Sequence, residues 1–184
     1  MPFTTLDDKT ALVLIDLQKG IVALPTVHPA ADIVAKSVRL ADAFREAGRP
    51  VVFVNVAGGA PGRTEQAMPG GERPADWADL VAELARRPEE PLFTKKSWGA
   101  FATTGIDAWL KQRGVTHIVL AGISTSIGVE STARQAYEAG FNVLLVTDAM
   151  SDMKADAHEN SLKNIFPRLG ETGTTDALLA LLGA

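Results

Sequence analysis

The chain has 184 residues, a formal net charge of −4 and no cysteine. That length fits one domain with a full hydrophobic core, and 46% apolar against 22% charged residues is ordinary for a globular protein. Net acidity with scattered Lys and Arg argues against a nucleic-acid or anionic-membrane surface, and the lack of Cys excludes disulfides and thiolate metal sites. The opening MPFTTLDDKT lacks the basic start and long apolar core of a signal peptide, and no apolar run approaches the ~20 residues of a membrane span. A cytoplasmic protein is the expectation.

Residues 11–15 (ALVLI) read as the first buried strand, apolar throughout rather than alternating, as where both faces of a sheet are covered. Ile33, Ser37, Leu40 and Phe44 share one face of a helix that stops at Gly48-Arg49-Pro50. A second strand follows at 51–54 (VVFV). Residues 58–74 (GGAPGRTEQAMPGGERP) are Gly- and Pro-rich and too long for a simple connection, so they read as a lid or as an unstructured insertion. Trp77, Leu80 and Leu84 repeat the helical spacing before Pro88, and 91–94 (PLFT) is a short strand. Ile106, Trp109 and Leu110 predict a helix before Gly114. Residues 117–121 (HIVLA) and 142–146 (NVLLV) are two more strands, separated by a helix burying Val129, Ala133 and Ala136, with Glu130 and Arg134 paired on its outer face. A further helix ends at Phe166-Pro167, and 175–182 forms the last. Strand and helix alternating in this way predict one α/β domain over residues 1–184, a three-layer α/β/α stack on a mainly parallel sheet.

Ligands of such sheets bind beyond the carboxyl ends of the strands. The polar residues there are Asp16, Asn55, Lys95, the turn 122–128 and Asp148. A carboxylate directly after five apolar residues needs a cation or a shifted pKa, and Lys95 is the obvious cation; the alternative is a capping aspartate. His28, His117 and His158 have no companions at metal-ligand spacing, and Gly58-Gly59 lacks the phosphate-loop patterns. Gly122-Ile-Ser124-Thr-Ser126 looks superficially like a G-x-S-x-G nucleophile elbow, with Asp148 and His158 following in order. Ser126, however, stands where the tight elbow needs glycine.

Asp16 in ALVLIDLQKG, Lys95 in FTKKSWGAF and the block GISTSIGVESTARQAYEAGFNVLLVTDA together resemble the isochorismatase-like (cysteine hydrolase) family, in the family's order and over nearly the whole chain. The resemblance implies an Asp-Lys-Cys triad in which Asp16 and Lys95 are retained and Gly128 stands at the Cys position. It also implies a cis peptide between Ile123 and Ser124, and an oxyanion site built from the backbone N–H groups of Ser124 and Gly128. Losing a triad nucleophile costs about a millionfold in rate, which makes the amidase members poor guides. The metal-binding Asp-x-His of nicotinamidases is replaced by VNVAGGAP, so neither metal nor organic cofactor is expected. Isochorismatases also carry Gly there and cleave a vinyl ether without a covalent intermediate. The expected activity is therefore general-acid hydrolysis of a small molecule, with Asp16 as the acid and Lys95 as its partner. A less characterised bacterial branch, with the same GIST-IGVESTAR wording, is the nearer likeness. Gln18, Asn55, Trp98 and Phe101 are the candidate substrate contacts, with Arg63 or Arg73 as candidate carboxylate partners. A homo-oligomer with residues 129–137 near the contact is implied as well. The other reading is a non-catalytic binding or regulatory protein on a degenerate hydrolase fold.

Overall fold

The apolar runs form six strands: β1 (Thr10–Ile15), β2 (Val51–Val56), β3 (Leu92–Lys95), β4 (His117–Ile123), β5 (Asn142–Ser151) and β6 (Glu171–Gly173). In this computed structural model, which describes residues 3–66 and 72–183, they line up in the order β3-β2-β1-β4-β5-β6, each pair parallel. The sheet is thus wholly parallel. Val13 sits opposite both Val52 and Leu120, which fixes the register at its centre. Chain order reverses on the two sides of β1, so the gap between the carboxyl ends of β1 and β4 is a topological switch point.

The helices are α1 (Lys19–Val22), α2 (Ala30–Glu46), α3 (Ile106–Gln112), α4 (Glu130–Glu138), α5 (Ala155–Asn160) and α6 (Thr175–Leu182). Within each apolar run the side chains still alternate. Leu12, Leu14, Phe53, Val119 and Leu144 pack with Ile33, Leu40 and Phe44 of α2 and Leu178 of α6. Ala11, Val13, Ile15, Val52, Val54 and Leu120 pack on the other face with Ile106 and Leu110 of α3 and with Val129, Ala133 and Ala136. Each fully buried Leu, Ile or Phe contributes about 1.5–3 kcal/mol, so these two layers carry the fold. Among the described residues no helix is long and apolar enough to cross a membrane.

Three local expectations change. Residues 77–84 do not form a helix; they make turns and one 3₁₀ turn, Ala82–Leu84. Their backbone groups bond elsewhere: the carbonyls of Trp77 and Asp79 accept from Gly20 and Lys19, and Val81 donates to Leu17. Tertiary pairing outweighs the helical spacing. The fifth strand runs past Val146 to Ser151, through a register shift opposite β4. Asp148 therefore lies within that shift, not at the strand's end. Its carboxylate accepts from Thr175 N and Oγ1 at 2.7 and 2.9 Å, beside Lys36 at 3.5 Å. The short β6 has no apolar run to announce it. Part of the proposed lid, residues 67–71, lies outside the described residues.

Gly122 is a tight spot. Its φ of 129° is open to glycine, and a Cβ there would run into the carbonyl of Ile15 on the neighbouring strand. Gly122→Ala is expected to lower stability by about 3 kcal/mol or more, through backbone strain and overpacking together. Urea unfolding of the two proteins side by side measures it.

Candidate active site

Asp16 follows β1 directly and takes a left-handed backbone, φ 53°. Asp tolerates that region better than most residues. Its N–H still donates to Val54 at 2.9 Å, so the ladder holds while the strand's alternation ends. The carboxylate meets Lys95 from the end of β3: Nζ donates to Oδ2 at 2.6 Å. Asp16 is 4% exposed and Lys95 1%. The ammonium also approaches the carbonyl of Ser97 at 3.3 Å, whereas Asp16 Oδ1 is buried with no partner.

Burial and Lys95 pull the carboxyl in opposite directions. Desolvation is the larger influence and pushes the Asp16 pKa up to about 6, against the charge and hydrogen bond of Lys95, which lower it. A carboxyl so placed holds and releases a proton close to neutrality, as acid–base catalysis requires.

The turn after β4 brings Gly128 against this pair. A Cβ on Gly128 would stand 3.0 Å from Asp16 Oδ2 and 3.0 Å from Ile15 Cγ2. A side chain at this position would therefore crowd the aspartate, which would have to give by a few tenths of an ångström, and Gly128 marks a close approach of backbone to acid. The Ile123–Ser124 peptide is cis, as the family resemblance implies. The carbonyl of Ser124 accepts from Ile127 at 3.2 Å and from Val129 at 3.1 Å, a π-type turn in which the N–H of Gly128 is not engaged by that carbonyl.

The other sequence candidates distribute unevenly. Gln18 is fully buried and its amide is used on backbone: Nε2 donates to Val56 and Trp77 at 3.0 and 3.2 Å, and Oε1 accepts from Val56 N at 2.8 Å. It builds the wall and has no group left for substrate. Asn55 donates to Ala78 at 2.8 Å and keeps a buried, unpartnered Oδ1. Phe101 packs edge-on to Phe141 at 5.8 Å, within the core layer rather than on Asp16. Trp98 is 65% exposed, on the loop that follows Lys95. Arg63 is exposed, and Arg73 lies over the Trp77 ring at 4.2 Å.

The serine-elbow arrangement is not assembled. His158 Nδ1 meets Thr125 Oγ1 at 2.8 Å instead of Ser124, and Asp148 is held by Thr175. His117 sits beside Asp7 at 3.5 Å, a structural contact. Among the described residues no cluster of His, Asp and Glu is arranged to hold a metal ion. A cleft of about 290 Å³ lined by Arg49, Trp109 and Arg113 lies at the other end, where β2 begins, away from the carboxyl ends that carry chemistry in parallel sheets. Sequence reading missed Asp152, which accepts from Ser126 N and Oγ at 2.7 and 2.8 Å. Ala149 and Met150, spaced to continue β5, were the available signal.

The raised pKa sets a sign for stability. The folded state holds the Asp16 proton more tightly than the unfolded chain, so this group's contribution is fully present below the ordinary value of 3.8 and is lost as pH rises through about 6. The stability of the wild type relative to Asp16→Asn should thus fall across that window, by at most about 1.4 kcal/mol per pH unit, and level off above it. Paired denaturant titrations at several pH values check this; a difference that rises with pH contradicts it.

The isochorismatase domain model matches residues 10–177. The uncharacterized isochorismatase family protein YwoC of Bacillus subtilis is 46% identical over 178 residues, 93% of each chain. The uncharacterized isochorismatase family protein YecD of Escherichia coli O157:H7 is 39% identical over 182 residues, 94% of this chain and 96% of that one. The solved structure of an isochorismatase family protein from Burkholderia thailandensis superposes with a TM-score of 0.93 at 42% identity, covering 100% of this chain and 99% of the other. With its parallel sheet in the order β3-β2-β1-β4-β5-β6 and its family match running from β1 into α6, this chain belongs to the isochorismatase family.

Proposed function

We propose that the protein is a hydrolase of the isochorismatase family that works without a covalent nucleophile, by general-acid catalysis from Asp16 on a small vinyl ether. The observation that carries this reading is the buried Asp16 carboxyl, with a pKa near 6, set against the bare backbone of Gly128 where related hydrolases place a thiol. In the first step the Asp16 carboxyl gives its proton to the vinyl CH₂ carbon, leaving an oxocarbenium ion. Water adds to that ion and returns a proton to the Asp16 carboxylate. The hemiketal then collapses to a ketone and an alcohol, so the net change is the consumption of one water. Lys95 orients the acid and stabilises the carboxylate once the proton has left. The N–H groups of Ser124 and Gly128 serve the leaving alcohol oxygen, on which negative charge develops as the hemiketal collapses. Isochorismate is one member of the substrate class.

A second reading, a binding protein on a retired hydrolase fold, is favoured by the near-complete burial of both Asp16 and Lys95. Turnover decides between them. On a panel of enolpyruvyl ethers, amides and esters, the wild type should consume a vinyl ether, and Asp16→Asn should lower kcat by about a thousandfold or more while the fold is kept. Lys95→Ala should be nearly as damaging, because it removes the partner of a buried carboxylate. No turnover of any panel member by the wild type supports the binding protein instead.

We also propose a homo-oligomer with residues 129–137 near the contact. Support comes from Tyr137, a large side chain left 54% exposed on α4. Light scattering over a wide concentration range should give a mass above that of one chain, and a monomer throughout contradicts the assembly.

A further inference from the structure

The turn that carries Gly128 is gripped from behind by groups that the proposed chemistry does not use. Thr125, fully buried, follows Ser124, and its Oγ1 lies 2.8 Å from Nδ1 of His158 on α5. The imidazole is itself buried and meets the His28 ring edge-on at 5.1 Å. Burial, and then the neighbouring His28, hold its pKa below the usual value, which favours a neutral ring able to share one proton with the hydroxyl. The next residue, Ser126, is tied by its N–H and its hydroxyl to Asp152. Asp152 is in turn fixed to Val27 through its carbonyl, at 2.8 Å, and Ser151 exchanges hydrogen bonds with the backbone of His28. Two consecutive residues of the turn are thus bonded to the end of β5 and to α5, while Gly128, two residues on, faces Asp16.

We propose that Thr125 and His158 form a buried latch that positions the 124–128 turn, and with it the Gly128 backbone, against the Asp16 carboxyl. His158 is a positioning residue here, since it touches neither Asp16 nor the atoms that react. The consequence for catalysis rests on the hydrolase reading above; the latch itself does not. Without the Thr125 hydroxyl, one face of a buried imidazole is left unpaired and the turn loses its tie to α5. Gly128 then moves more freely over Asp16, and water reaches a carboxyl whose proton affinity is set by its dryness.

The test uses the full chain, labelled with ¹³C and ¹⁵N, as wild type, Thr125→Val, Thr125→Ser and His158→Asn. Valine keeps the shape of threonine and removes the hydroxyl, serine keeps the hydroxyl, and an Asn amide takes the place of Nδ1. Thr125→Val should speed amide exchange at Gly128 by about tenfold or more while the core amides of Val13 and Leu120 change by less than about threefold. It should also lower the Asp16 carboxyl titration midpoint from about 6. Thr125→Ser and His158→Asn should bring both signals back towards wild type. Unchanged Gly128 exchange and an unmoved Asp16 midpoint in Thr125→Val overturn the latch, as does an equal rise in exchange at every site, which signals only a global loss of stability. Neither readout needs a substrate, so the latch is decided even if no vinyl ether is consumed. Where turnover exists, Thr125→Val should lower kcat by about tenfold with KM little changed, and full activity there removes the catalytic role.

Discussion

A carboxylate and an ammonium, both almost entirely removed from water, face each other at 2.6 Å between the centre of the sheet and its edge. Each charge taken alone would cost several kcal/mol to bury, and neither has an apolar substitute that would leave the other satisfied. Strand β3, only four residues long, is the means by which Lys95 arrives at Asp16 across β2. The connection from β3 to α3 must then close over the ammonium, which it does through the carbonyl of Ser97. Much of the carboxyl end of the sheet can be understood as packing that keeps this one pair dry.

Dryness also gives the pair its chemical character. In water Lys95 would hold Asp16 ionised at any ordinary pH; in this setting desolvation prevails and the proton stays within reach of neutrality. The absence of a side chain at Gly128 belongs to the same arrangement. A carboxylate oxygen 3.0 Å from where a Cβ of residue 128 would stand is shielded by backbone instead of by a side chain. A backbone N–H can assist a developing charge without adding a titrating group of its own.

What the sequence made legible was whatever depends on near neighbours in the chain. The continuous apolar runs announced five of the strands, the Gly48-Arg49-Pro50 stop placed the end of α2, and the last helix was read at its observed limits, Thr175–Leu182. Asp16 and Lys95 were visible because a charge directly after an apolar strand is locally anomalous. The misses share another origin. Trp77, Leu80 and Leu84 have helical spacing, but the backbone of Trp77, Asp79 and Val81 pairs with Gly20, Lys19 and Leu17, some sixty positions away. Gln18 follows β1 and Phe101 lies on the loop after β3, both beyond carboxyl ends of the strands, yet each is committed to a distant protein partner, Val56 and Phe141. Asp152 was hidden because β5 outlasts its apolar run by crossing a register shift. Long-range pairing of this kind leaves no period in a single sequence.

The way Gln18 and Asn55 hold the backbone of residues 77–78 bears on how freely the chain before them can vary. The chain leaves β2 after Val56 and is caught again at Trp77 and Ala78 by two amides, that of Gln18 just past β1 and that of Asn55 on β2. Departure and landing are therefore fixed by the scaffold, whatever lies between them. Loop-closure entropy rises only slowly with length, by about 0.6 kcal/mol per doubling, so insertions and deletions in that interval are thermodynamically mild. Changes of length or sequence between those two anchors are therefore expected to leave Asp16 and Lys95 where they stand, so the interval can be rewritten without rebuilding the pair.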